Sequence, residues 1–159
     1  MKTLIVFASK HGCTKKCAQL LKNEIHDQVD VINLKETQEV DITKYDKVVI
    51  GGSIYMGGIQ KSVTKFCSKK LNQLKEKKIG LFFCGMMDGE TILKEINQIF
   101  PQELIDHAEV KDYFGGEFIF NKMNFFEKII VKKVVKVTAD KSTIREASIL
   151  EFAEVMNAI

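Results

Sequence analysis

Hydrophobic positions along the chain fall into two alternating periods. Residues 4–8, 29–34, 47–54, 78–84 and 113–120 are short runs rich in Val, Ile and Phe, several of them apolar throughout. A strand covered on both faces reads this way, because neither side of its pleat meets water. Between these runs lie longer stretches with apolar residues three and four apart. Residues 14–27 place Cys17, Leu20, Leu21 and Ile25 on one helical face, and residues 62–74 place Val63, Phe66, Leu71 and Leu74 likewise. Residues 90–100 predict a third helix stopped by Pro101, the one proline in the chain, and residues 143–159 a last one with Ile144, Ala147, Leu150 and Val155 inward. Strands alternating with helices, joined by right-handed crossovers, predict an α/β fold: a doubly wound, five-stranded parallel sheet with helices on both faces.

Composition adds limits. A chain of 159 residues can form a single domain, 1–159, and no repeat or linker divides it. Hydrophobic residues at 45% and charged residues at 28% exclude a disordered chain. No apolar stretch reaches the roughly 18 residues of a membrane span, and Lys2 leads straight into a strand-like run without a cleavage site, so a cytoplasmic location is expected. Cys13, Cys17, Cys67 and Cys84 form no C-x-x-C pair and are read as free thiols.

In a doubly wound sheet, ligands bind at the carboxyl ends of the strands where the strand order reverses, so the loops after the first, third and fourth strands carry the chemistry. Several chemistries lack their residues there. A phosphoaccepting receiver needs acids after the first strand and an Asp closing the third, where this chain has Ser9, Lys10 and Gly51, Gly52, Ser53. Neither G-x-x-x-x-G-K-[ST] nor G-x-G-x-x-G follows the first strand, which excludes a P-loop or dinucleotide site. A low-molecular-weight phosphatase needs an Arg in its phosphate loop, yet Arg145 is the sole arginine.

A single phosphate bound by hydroxyls and amides fits what remains. In FASKHGCTKK, Ser9 and Thr14 carry hydroxyls, Gly12 permits a tight turn, and the amides of residues 12–15 face an anion at a helix start. Ser9 and Thr14 serve equally well as helix caps, so the loop alone leaves both readings open. The third strand ends in GGSIYMGG, where Tyr55 can stack and Met56 can pack on a flat ring among glycines, and the fourth ends in FCGMMDG, with small residues beside adaptable apolar ones.

These three loops resemble the flavodoxin family over nearly the whole chain. The resemblance implies a flavodoxin-like fold and noncovalent FMN. By position, Ser9, His11, Gly12, Cys13 and Thr14 would hold the phosphate, Ser53, Ile54, Tyr55, Met56 and Gly57 one side of the isoalloxazine, and Cys84, Gly85, Met86, Met87 and Asp88 the other. The first loop departs from the usual Thr-x-Thr-G-x-Thr at His11 and Cys13. Within the family, YDKVVIGGSIYMGG and NKMNFFEKIIVKKVVK followed by TIREASILEFA resemble the bacterial quinone-dependent protoporphyrinogen dehydrogenases, although residues 86–99 are neutral to acidic and shorter than the basic insertion of those enzymes. The resemblance implies an FMN redox protein working with a redox partner protein or a quinone, either as an electron carrier or as a protoporphyrinogen dehydrogenase.

The extra segment at 121–137 holds the chain's positive charge: Lys122, Lys128, Lys132, Lys133 and Lys136 face Glu127 alone, a net of +4, so the other residues sum to −1. It predicts an amphipathic helix with Phe126, Ile130, Val134 and Val137 on one line. Lys128, Lys132, Lys133 and Lys136 suit an anionic membrane surface at the inner face of a membrane, and a core-covering helix with a solvated lysine face suits the same pattern. His26 and His107 lie among polar neighbours and are read as solvated, no His/Cys/Asp set has ligand spacing, so no metal is expected, and one Arg without an aromatic platform argues against nucleic acid.

Overall fold

The computed structural model describes residues 1–37, 39–119, 123–130, 132–133 and 140–159. Its centre is a sheet of five parallel strands, β1 (Lys2–Phe7), β2 (Gln28–Asn33), β3 (Lys47–Ser53), β4 (Lys78–Cys84) and β5 (Val110–Tyr113), ordered β2-β1-β3-β4-β5. This is the doubly wound sheet that the alternating pattern predicts, in the flavodoxin-like form that the resemblance implies. Because side chains alternate across a pleat, Leu4, Val6, Val48, Ile50, Leu81 and Phe83 build one apolar layer, and Ile5, Phe7, Val49, Phe82 and Cys84 the other.

Helices α1 (Cys13–Glu24) and α6 (Glu146–Ala158) cover the second layer, and α2 (Lys61–Leu74), α3 (Gly89–Ile99) and the short α4 (Gln102–His107) cover the first. Between β2 and β3 an irregular connection takes the place of a helix, burying Leu34, Val40, Ile42 and Tyr45. Pro101 ends α3 and opens α4, which the sequence pattern missed: its fixed φ is compatible with a helix start. His26 and His107 are exposed.

Three expectations are corrected. The apolar run 113–120 is not one strand: Gly115, at φ 85°, turns the chain out of the sheet, and β6 (Glu117–Phe118) pairs antiparallel with β7 (Lys141–Ser142). A side chain at Gly115 would also meet the Thr143 carbonyl oxygen at 2.0 Å. The inward face of α6 is Ile149, Phe152, Ala153 and Met156, while Leu150 and Val155 are exposed. Phe152 decides that rotation, because it packs edge-on against Phe82 and Phe114, which stack on each other at 4.8 Å. Within the basic segment the structure describes α5 (Phe125–Ile130), where Phe125 and Phe126 are 72% and 74% exposed, so Phe126 is not core. Lys122, Val134, Lys136 and Val137 lie outside the described residues. Among the described residues no helix is long and apolar enough to cross a membrane.

One buried ion pair ties the layers together. Lys47 Nζ, 1% exposed, sits 2.9 Å from Asp27 and donates to the Met156 carbonyl at 2.7 Å. Burial pushes the Asp27 carboxyl up, but bonds from Lys47 and Thr3 outweigh it and hold the group below the ordinary carboxylate range.

Candidate functional site

The chain leaves β1 through α1 toward β2 and later returns to the other side of β1 as β3, so the order reverses at the carboxyl ends of β1 and β3. A cleft opens there, with about 890 Å³ of space counted to its solvent-open mouth.

The loop after β1 forms its floor. Ser9 Oγ accepts the Gly12 amide at 2.9 Å, and Gly12, at φ 97°, is the residue from which α1 starts. Among the described residues no side chain caps α1, so the helix-cap reading of Ser9 and Thr14 fails, and the first turn's amides have no side-chain acceptor there. Thr14 itself is fully buried, and its hydroxyl has no protein partner among the described residues. A buried orphan hydroxyl is costly unless something else satisfies it.

One wall is a two-residue turn. Tyr55 and Gly58 exchange backbone bonds of 2.8 and 3.1 Å around Met56 and Gly57, whose φ values are 51° and 75°. Paired positive φ is what a tight hairpin of the primed type demands. Glycine adopts it freely, whereas Met56 does so at a cost of roughly 1–2 kcal/mol and points its thioether outward, 72% exposed. The Tyr55 hydroxyl has no partner among the described residues, and Lys10 Nζ stands 4.9 Å from its ring centroid.

The opposite wall is residues 84–87, pinned by β5. The Tyr113 hydroxyl donates to the Gly85 carbonyl at 2.6 Å, with the Met87 carbonyl at 3.0 Å, and burial pushes its phenol up to about 12. The Gly85 amide donates to Gly115 O at 2.9 Å, and the Ile54 amide to Cys84 O at 2.7 Å, which locks the two walls to each other.

Of the residues expected from sequence, Ser9, His11, Cys13, Thr14, Ser53, Ile54, Tyr55, Met56, Cys84, Gly85, Met86 and Met87 line this cleft. Gly12, Gly57 and Asp88 do not: the two glycines shape their turns, and Asp88 caps α3 by accepting the Thr91 amide at 2.9 Å. Sequence reading missed Lys10, Gly116, Glu117, Met123, Glu127 and Ile130. Lys10 was legible, standing between Ser9 and His11; the rest come from the segment after β5, whose return to the cleft no local pattern announces. Glu127 is 8% exposed, with Oε2 at 2.5 Å from His11 Nε2 and Oε1 at 3.4 Å from Lys10 Nζ, and thereby fastens α5 to the floor.

Beneath the floor the fold gathers three cysteines. Cys13, Cys17 and Cys84 are all buried, and their sulfurs lie within 4.8 Å of one another. The neighbouring thiols of Cys17 and Cys84 hold the Cys13 pKa well below the ordinary thiol value, while Cys17 and Cys84 are pushed up by the same proximity and by burial. No spacing in the sequence announces this cluster, because the third sulfur arrives from another element.

A flavodoxin domain family profile matches residues 4–144. The chain is 24% identical over 154 residues to protoporphyrinogen IX dehydrogenase [quinone] of Escherichia coli K12, covering 92% of this chain and 85% of that one. It is 26% identical over 155 residues to the flavodoxin-like domain-containing protein BilS of Clostridioides difficile CD3, covering 92% and 81%. In three dimensions it matches the two-electron reduced Megasphaera elsdenii flavodoxin with a TM-score of 0.59 at 19% identity, over 99% of each chain. With the sheet order, the cleft at its switch point and a profile match over most of its length, the chain belongs to the flavodoxin domain family.

Proposed function

We propose that the cleft binds FMN noncovalently and that the protein is a redox carrier working through it. The observation that carries this reading is Thr14, a fully buried hydroxyl without a protein partner among the described residues, beside uncapped amides of α1. A phosphate would satisfy both at once. Tyr55, with its ring at one wall and its hydroxyl unpartnered, and the Gly85–Met87 backbone pinned by Tyr113 suit a flat conjugated ring with a polar edge. The residues therefore fit FMN. When bound, the flavin supplies one- and two-electron chemistry; the protein positions it, limits water and tunes it through the backbone groups of the two walls. The test is the visible spectrum of the purified protein and quenching of added FMN fluorescence. A colourless protein that leaves FMN fluorescence unchanged would sink the reading.

A second reading rests on α5. Phe125 and Phe126 stand exposed on the helix whose Glu127 and Ile130 line the cleft, with Lys132 and Lys133 also exposed. An apolar tip with lysines around it suits an anionic membrane surface and a lipid-soluble quinone better than it suits a cover helix. This arrangement supports FMN-dependent, quinone-coupled protoporphyrinogen oxidation, at the inner face of a membrane. Turnover of protoporphyrinogen with a quinone, against reduction of a soluble acceptor protein alone, separates enzyme from carrier.

A further inference from the structure

We propose that Cys13, Cys17 and Cys84 form a three-sulfur site for one thiophilic d10 cation, of the Zn(II) or Cu(I) class, directly beneath the cleft floor. Cys13 and Cys17 are four residues apart on α1, so their side chains stand one above the other on the face turned to the sheet. Cys84 is the last residue of β4 and meets them from the sheet. The three sulfurs already lie within 4.8 Å of one another. Metal–sulfur bonds of about 2.3 Å put sulfurs about 4 Å apart in a trigonal or tetrahedral site, so side-chain adjustments of under about 1 Å close the set.

Buried cysteines are common as small apolar residues, and the fourth cysteine behaves in that way. Cys67 is fully buried in the other apolar layer, in α2. Three sulfurs from two elements meeting at one point is a different arrangement. The donors are all soft, which selects Zn(II) or Cu(I) over Mg(II) or Ca(II). Each thiol loses its proton to solvent as its bond to the metal forms, and no electrons are transferred. The resulting complex is anionic, and the N-terminal turn of α1, which begins at Cys13, stabilises negative charge there. Cys13 and Cys84 also line the cleft, which provides the entry path and an open side for a fourth ligand.

The test titrates Cd(II), a spectroscopic stand-in for Zn(II), into the full-length protein under reducing, metal-free conditions, with flavin content left as purified and again after flavin removal. The expected result is a sulfur-to-metal charge-transfer band saturating at one equivalent, displaced by Zn(II) and insensitive to excess Mg(II). Cys17→Ser and Cys84→Ser should each weaken Cd(II) binding at least tenfold, and Cys67→Ser should leave it unchanged. Circular dichroism of each variant checks that it folds; the wild-type titration stands without them. Absence of a charge-transfer band in the wild-type protein overturns the proposal, as does a band that survives both substitutions in folded protein. Because the flavin-free titration is read without FMN, its outcome is separate from that of the flavin reading.

Discussion

Glu127 of α5 reaches back onto the loop after β1, where its Oε2 lies 2.5 Å from Nε2 of His11. Two segments more than a hundred residues apart in sequence thereby meet at the cleft floor. Glu127 also anchors its own helix, because Asn124 Oδ1 accepts the Glu127 amide at 2.8 Å and Asn124 Nδ2 donates to Oε1 at 2.7 Å. Glu127→Gln keeps the shape and removes the charge. It should cost about 1 kcal/mol of stability, the Lys10 partner being half-exposed. Hydrogen exchange at the Lys128 amide, which donates to Asn124 O, should rise while exchange in β1 and β3 stays unchanged.

Thr14→Val separates binding from folding. The hydroxyl is buried without a protein partner, so its replacement by a methyl group should leave the flavin-free protein as stable as before or slightly more stable. FMN affinity should fall by about 1–3 kcal/mol, the range for a hydrogen bond to a charged group. Ser9→Ala should lower both, because Ser9 Oγ also holds the Gly12 amide. Denaturation and fluorescence titration of the two variants check the pattern; equal losses of stability would remove Thr14 from the phosphate site.

Asp27→Asn should unfold the protein more easily at neutral pH by about 3 kcal/mol, because it leaves the Lys47 ammonium buried beside a neutral amide. Asp27 has a lowered folded pKa, so its contribution is present above the unfolded carboxylate value of about 3.9 and is lost as pH falls through the folded value. The difference between variant and parent should therefore begin to shrink below about pH 4 and vanish only below the folded value. Urea melts at pH 7 and in steps downward from pH 4 measure both limbs.

The exposed tip of α5 predicts a separation of stability from surface binding. Phe126→Ala should change stability by less than about 0.5 kcal/mol, since the ring is 74% exposed, yet weaken sedimentation with anionic vesicles at low salt. Changing Lys128, Lys132, Lys133 and Lys136 to Gln should abolish that sedimentation without loss of FMN, and added salt should mimic the substitution. Vesicle binding that ignores salt would exclude the electrostatic account.

The sequence by itself determined the sheet and most of the cleft. Five apolar runs with helical stretches between them specify a parallel sheet, and a parallel sheet specifies which loops share an edge. Those loops are local: Ser9 to Thr14 and Ser53 to Met56 are each continuous with the strand that carries them, so naming the strand named the residues. Tertiary structure decided the rest. The rotation of α6 was set by Phe152 packing edge-on against Phe82 and Phe114, since apolar residues fit more than one face of that helix. The break at Gly115 depended on how close the chain passes to Thr143, which strand propensity does not record. Glu127 over His11, and Cys84 beside Cys13 and Cys17, are meetings of residues far apart in the chain. Spacing rules see only neighbours along a single element; contacts that close through space are created by packing two elements against each other.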